Sequence, residues 1–282
     1  MIVKTLADFN LKQIAASGQC FRLEETAPGR FHLLASDQYL EILDMGGRED
    51  TPVGEPYRTY GFSCTEQDFE EFWSPYFDLS ADYGAVKRLV PERDRYLRNA
   101  VSFGGGIRIL RQDLWETMVT FLISQQNNIP RIRRCIRLLC KNYGNAVTDS
   151  SGQIHYGFPG PDKLASASED ELRNCNLGYR AKYIQKTAQD VSDGSFCLES
   201  VRHMDYPAAR EALMSCYGIG AKVADCICLF ALHHIEAFPI DTHIRQVLER
   251  EYPQGFPVSC YNGCAGILQQ YIFYYELFHS GK

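Results

Sequence analysis

The stretch CYGIGAKVADCICLFAL, residues 216–232, sets one lysine at the mouth of a segment that is otherwise small or apolar. Two glycines this close do not suit a helix interior, where each costs about 1 kcal/mol relative to Ala. They predict a tight turn opening a helix near Ala221. Free N–H groups and a partial positive charge at a helix start favour anions, so a phosphate would sit well against Gly218 and Gly220. Lys222 falls in the first turn, where the macrodipole opposes a cation and apolar neighbours desolvate it. Both effects lower an amine's pKa, and an unprotonated amine is a nucleophile. Cys226 and Phe230, four and eight residues on, share its helix face. Two readings without chemistry stay open: Lys222 pairs with Asp225 at i+3, or it snorkels to solvent with its stem on the core.

A carboxylate that could serve the amine is Asp241, 19 residues further on in FPIDTHIRQVLERE (238–251). Pro239 sets an extended approach, and Asp is among the best N-caps, which accounts for Asp241 by itself. The interval also suits a helix, a turn and an antiparallel return that would bring carboxylate and amine together. A third feature is RIRRCIRLLCK, where Arg131, Arg133, Arg134, Arg137 and Lys141 crowd eleven residues. It reads either as concentrated positive charge for phosphate or as a solvated helix face.

These residues need a scaffold. The 282 residues, 45% of them hydrophobic, can build a core for one large domain or two to three small ones. Between 17 and about 62, RFHLLAS, QYLEILD and TYGFS are β-prone pieces broken by Gly, Pro and Asp. From about 66 the spacing turns helical. DLWETMVTFLISQQ (113–126), with Asp113 as N-cap, is the strongest case. Further helices are expected near 130–142, 168–174, 180–193, 205–216, 221–232, 242–251 and 261–278. The expected class is α+β: an antiparallel α/β module at 1–104, a helical domain at 105–213, and a helix–hairpin–helix part at 214–282 packed with it. Eleven irregularly spaced cysteines, behind a start that lacks a signal-peptide core, read as reduced thiols in a cytosolic protein. No apolar run approaches the roughly 18 residues of a membrane span, so a soluble protein with no membrane partner is expected. The net charge of −6 argues in bulk against nucleic acid, unless positive charge is concentrated.

A Gly-x-Gly hairpin between helices, a lysine two residues after its second glycine and a Pro-x-Asp further on together resemble the helix–hairpin–helix–GPD superfamily of DNA glycosylases. GQCFR (18–22), QQNNIPRI (125–132), LGYRAKYI (177–184) and GIGAKVADCICLFAL are similar to stretches of the eukaryotic-type 8-oxoguanine DNA glycosylase/AP lyases, over most of the chain. The resemblance implies a TBP-like amino-terminal domain and a bifunctional enzyme acting on 8-oxoguanine, opposite cytosine, in double-stranded DNA. Lys222 would attack C1′ of a flipped-out nucleotide and displace the base, and the Schiff base would permit β-elimination of the 3′ phosphate. Asp241 would support the amine and the positive charge developing on the sugar. Cys226 and Phe273 would cover the base's two faces, and Gln269 would read its Watson–Crick edge. The carbonyl of Gly18 would accept the N7–H that only the oxidised base carries. Arg131 and Arg180 would read the opposite cytosine, Gln126 and Tyr179 would occupy the vacated stack, and Asn127 would also bind DNA. His243 and the amides of Gly218, Gly220 and Val223 would hold phosphate. Backbone carbonyls of Met214, Cys216 and Ile219 would hold a structural Na⁺ or K⁺, and no cofactor is required.

Two departures stand out: Gln126 where the family commonly has Asn, and Tyr217 where it often has Pro. Relatives that cleave oxidised pyrimidines generally carry a four-cysteine iron–sulfur cluster. Past Asp241 only Cys260 and Cys264 remain, too few for it. A non-enzymatic helix–hairpin–helix DNA-binding module would keep the glycines without needing Lys222, Asp241, Cys226, Gln269 and Phe273 together. Taken singly, Phe273 reads as a core aromatic, Arg131 as one more member of its basic run and His243 as an exposed first-turn residue. Compact termini and the absence of a basic targeting run lead us to expect a prokaryotic cytoplasm, with the protein associated with the nucleoid; a monomer is also expected.

Overall fold

The computed structural model describes residues 1–47, 57–149, 151–261 and 263–279. Residues 48–56 in the first module, and residue 262 at the start of the last expected helix, lie outside the described residues. Strands β1 (Ile2–Leu6), β2 (Leu23–Ala27), β3 (Arg30–Ala35), β4 (Gln38–Gly47) and β5 (Arg58–Phe62) form a sheet in the order β1-β5-β4-β3-β2. β5 runs antiparallel to both β1 and β4. β1 lies outside the strand region read from the sequence. It is an edge strand whose residues are only half-buried or exposed, so IVKTL carries no core-facing apolar alternation. Beside the sheet, Phe9 meets Tyr60 at 5.2 Å and Phe77 at 5.3 Å, edge to face, and all three rings are buried.

The principal helices are α1 (Leu11–Ala16), α2 (Arg95–Gly104), α3 (Leu114–Ser124), α4 (Ile129–Tyr143), α5 (Arg180–Ser192), α6 (Tyr206–Met214), α7 (Ala221–Phe230), α8 (Thr242–Glu251) and α9 (Ala265–His279). Asp94, Asp113, Asn128, Asp205 and Asp241 start α2, α3, α4, α6 and α8, each accepting the backbone N–H three residues on. α7 is buried from Val223 through Phe230, as its all-round apolar composition requires. Among the described residues no helix is long and apolar enough to cross a membrane.

The chain forms two compact units. One comprises residues 1–32, 40–111 and 233–282, and the other residues 33–39 and 112–232. The stretch 214–282 therefore divides at residue 232.

Buried polar groups organise the first unit. The Arg108 guanidinium donates to the carbonyls of Ala7, Asp8 and Ala81 at 3.1 Å and of Asp78 at 2.7 Å, and lies 4.5 Å from the Tyr83 ring centroid. Asp78 is buried and accepts from Arg111 at 3.0 and 3.2 Å and from the Tyr83 hydroxyl at 3.1 Å, with His233 Nε2 at 3.4 Å. Burial alone would raise this carboxyl's pKa, but His233 and Arg111 outweigh it and hold it below the ordinary range. The folded value thus lies under the unfolded value of about 4, so the stabilisation is present above that pH and lost as pH falls through the folded value. Asp78→Asn should therefore cost about 1–3 kcal/mol at pH 7, by taking the carboxylate away from the Arg111 and Tyr83 donors bonded to it. Urea-unfolding midpoints should show the gap to the parent narrowing below about pH 4.

Candidate active site

Lys222 lies in the first turn of α7, its Nζ 5.3 Å from the centroid of the Phe121 ring on α3. Phe121 is itself buried and stacks on Phe230 at 5.5 Å. The amine thus rests on the face of a fixed aromatic surface, held there by cation–π attraction when protonated. The acid on the next turn is not its partner. Asp225 accepts from Arg210 at 2.6 Å and from the Tyr206 hydroxyl at 2.8 Å. Burial and then that bond to Asp225 raise the Tyr206 hydroxyl above its usual pKa. Pairing of Lys222 with Asp225, open in the sequence, is closed in the structure. Cys226 follows one turn later and is buried.

The hairpin before α7 is built on Gly218. Its φ is +90°, and a Cβ there would lie 2.6 Å from the ring of Tyr183 on α5. Gly220 is different: it caps α7 with φ −92°, and an added Cβ would have nothing within 4 Å. The first glycine serves the turn itself, and the second leaves open space beside the free amides that begin α7, Val223 among them. Tyr217 is exposed, with its ring 5.2 Å from that of Tyr183, so the turn forms with Tyr in place of Pro. Burial pushes the Cys216 thiol up to about 12, with the Asp190 charge adding to it.

After α3 the chain makes a turn through Gln125, Gln126 and Asn127. Gln126 is exposed with φ +47°, and the Asn127 amide donates back to the Ile123 carbonyl at 3.0 Å. Arg131 is exposed in the first turn of α4, and Tyr179 is exposed just before α5. Arg180 differs from the reading role expected for it. It is 3% exposed, and its guanidinium donates to the carbonyls of Gln125 and Gln126, each at 2.9 Å, while lying 4.5 Å from the Tyr179 ring. Here it braces the turn instead of presenting a free edge to a base, its N–H donors being turned to main-chain carbonyls.

The first unit gathers another set. Gly18 has φ +74°, and a Cβ there would stand 3.1 Å from Phe273 Cε1, so main chain and ring are in close approach. The buried side chain of Gln19 clamps this turn. It donates to Ser17 Oγ and to the Arg108 carbonyl, and accepts from Leu110 N–H, each at 2.9 Å. Phe273, half-buried on α9, meets the His243 ring edge-on at 6.0 Å. Nδ1 of His243 has no hydrogen-bond partner among the described residues. Asp241 Oδ1 accepts the Ile244 N–H at 2.9 Å and so caps α8. The buried Gln269 amide donates to the Pro239 carbonyl at 2.9 Å, tying α9 to the segment that presents Asp241.

Lys222, Cys226, the hairpin, the Gln126 turn, Arg131, Tyr179 and Arg180 therefore belong to one unit, and Gly18, Asp241, His243, Gln269 and Phe273 to the other. Reasoning from sequence missed Phe121, Gln125, Tyr183 and Gln19. Only the Gln-Gln pair in SQQNN and the second tyrosine of LGYRAKYI hinted at two of them. At the hairpin the Cys216 carbonyl accepts the Ile219 N–H at 3.1 Å. A carbonyl has two lone pairs, so this bond leaves the Cys216 oxygen one to offer a monovalent cation. Among the described residues no group of three or more His, Cys, Asp or Glu could hold a metal ion.

Residues 1–118 match the family described as 8-oxoguanine DNA glycosylase, N-terminal domain, and residues 119–254 match the HhH-GPD superfamily base excision DNA repair proteins. An N-glycosylase/DNA lyase of Saccharomyces cerevisiae is 41% identical over 158 residues, 52% of this chain and 42% of that protein. The N-glycosylase/DNA lyase OGG1 of Arabidopsis thaliana is 35% identical over 256 residues, 86% of this chain and 66% of that protein. The chain thus spans less than two thirds of the length of both relatives. Among solved structures, the Clostridium acetobutylicum 8-oxoguanine glycosylase/lyase superposes with a TM-score of 0.86 at 32% identity, over 99% of each chain. That enzyme was solved with double-stranded DNA containing cytosine opposite 8-oxoguanine.

The two hairpin glycines should behave differently when replaced. Gly218→Ala should lower stability by about 1–3 kcal/mol, the cost of a left-handed non-glycine residue driven against a ring. Gly220→Ala should leave the unfolding midpoint where the parent has it, since its Cβ enters open space. Thermal melts of the two variants side by side would check this.

Proposed function

The chain belongs to the 8-oxoguanine DNA glycosylase family of the helix–hairpin–helix–GPD superfamily, and from that premise we propose that it excises 8-oxoguanine from double-stranded DNA and then cleaves the strand by β-elimination. The observation that carries the reading is Lys222: an amine in the first turn of a buried helix, set on the Phe121 ring, with the adjacent carboxylate already bonded elsewhere. A lysine held for charge pairing alone would have taken Asp225.

The target nucleotide leaves the stack first, because its C1′ is inaccessible in a duplex. Gln126 and Tyr179 fill the gap, and Arg131, exposed beside the turn, reads the opposite cytosine. Arg180 joins in that reading only by giving up its carbonyl partners. Cys226 and Phe273 cover the base, Gln269 takes its Watson–Crick edge, and the Gly18 carbonyl accepts N7–H. Normal guanine presents a lone pair at N7, which faces that carbonyl unfavourably.

Unprotonated Lys222 Nζ forms a bond to C1′ while the glycosidic bond breaks and its electron pair leaves with the base. Opening of the sugar gives a protonated Schiff base, and loss of a C2′ proton expels the 3′ phosphate. Asp241 favours the positive charge that develops on the sugar. His243 and the amides of Gly218, Gly220 and Val223 hold backbone phosphate, so affinity draws on helix-start dipoles as well as on the basic run of α4. A Na⁺ or K⁺ bound by the carbonyls of Met214, Cys216 and Ile219 would steady the hairpin.

Borohydride trapping on duplexes with 8-oxoguanine opposite each of the four bases tests this reading. The parent should give a covalent adduct that depends on the lesion. Lys222→Gln should give none while still binding the lesion, and normal base release by that variant would sink the mechanism. Arg131→Ala should flatten the ranking among opposite bases, and an unchanged ranking would return Arg131 to the basic run.

A further inference from the structure

We propose that Gln125, a residue without a role in the chemistry above, is a positioning residue that couples the stack-filling turn to the hairpin from which the helix of Lys222 begins. The proposal rests on the glycosylase reading and deepens it. Gln125 Nε2 donates to the Gly218 carbonyl at 3.1 Å, across 93 residues of chain. The main-chain carbonyl of the same residue accepts from Arg180 Nε at 2.9 Å, and the next carbonyl, of Gln126, accepts from Arg180 Nη2 at 2.9 Å. A second connection runs parallel to the first and is apolar. Tyr183, one turn along α5 from Tyr179, has its ring 5.7 Å from the Tyr179 ring and fills the space beside Gly218.

The two links tie the same two places. At one end stand Gln126 and Tyr179, exposed and ready to enter a vacated stack. At the other stands Gly218, whose left-handed turn fixes where α7 and Lys222 start. Gln126 itself is held at φ +47°, a conformation that a non-glycine residue keeps only when its surroundings impose it. Arg180 and Gln125 are those surroundings. When the turn enters DNA, its displacement is carried through the Gln125 amide to the Gly218 carbonyl. The identity of the base left opposite then bears on how the amine is presented to C1′. The Tyr183 link transmits contact but no hydrogen bond, so the directional part of the coupling belongs to Gln125.

Gln125→Met tests this, since Met keeps the length and approximate volume of Gln while removing the donor. The measurement is single-turnover base release from 8-oxoguanine opposite each of the four bases, with thermal melts of the same samples. We expect an unchanged melting temperature and release opposite cytosine slowed about five- to tenfold, the factor carried by one hydrogen bond of ordinary strength. The ratio of the cytosine rate to the other three should shrink toward one. Gln125→Glu, which sets a carboxylate against the Gly218 carbonyl, should be slower still with the same flattening. Unchanged rates, or four rates lowered by one common factor together with a lower melting temperature, would overturn the coupling. A parent that releases no base would overturn the glycosylase reading itself, whereas an active parent with an indifferent Gln125→Met variant overturns only this inference.

Discussion

The Tyr183 ring occupies the space a side chain at residue 218 would need, and the second unit is arranged around that contact. With no Cβ in the way, the hairpin turns tightly against α5 and delivers the start of α7 to a fixed place. α7 then runs inward, buried from Val223 onward, and leaves Lys222 at its rim against Phe121. The same helix α5 that receives Gly218 carries Arg180, whose guanidinium fixes the Gln125–Gln126 turn. One close packing contact thereby sets the start of the Lys222 helix and the exposed Gln126 and Tyr179 in a common frame. A loosely packed hairpin could bind phosphate through its amides, but it would not hold an amine in register with anything.

The first unit reaches its precision by another route, through buried polar side chains that satisfy main chain. Gln19 uses both ends of its amide to fix the Gly18 turn, Gln269 ties α9 to the Pro239 carbonyl, and Arg108 gathers four carbonyls from two segments. Such groups are costly to bury unless every bond is made. Once made, the bonds are directional, which apolar packing is not. Under the proposed function 8-oxoguanine is told from guanine by one N–H, a task that directional placement of a carbonyl and an amide would serve. Phe273 adds the area, and Gly18 allows main chain to approach that ring closely.

Local rules were legible in the sequence, and so were the features that depend on them. The Gly-x-Gly turn, the apolar helix behind it and the Asp241 cap each follow from the preferences of a few adjacent residues, and the structure places all three as those preferences dictate. The resemblance supplied residue types for the remaining positions, along with the α+β architecture. Neither could show how a side chain is engaged. That Arg180 is buried under carbonyls 54 and 55 residues away, or that Asp225 prefers Arg210 to Lys222, is decided by packing between helices. β1 was hidden for a related reason: an edge strand with no buried face has no alternation to read.

Asp241 shows why a structural reading and a chemical one need not compete. As an N-cap it binds the Ile244 N–H through Oδ1. A carboxylate has a second oxygen and spare lone pairs on both, so capping leaves capacity for a developing positive charge. Capping also fixes the side-chain torsions, so in the proposed reaction the carboxylate would lose little further freedom, and preorganisation of this kind is what makes an electrostatic contribution effective.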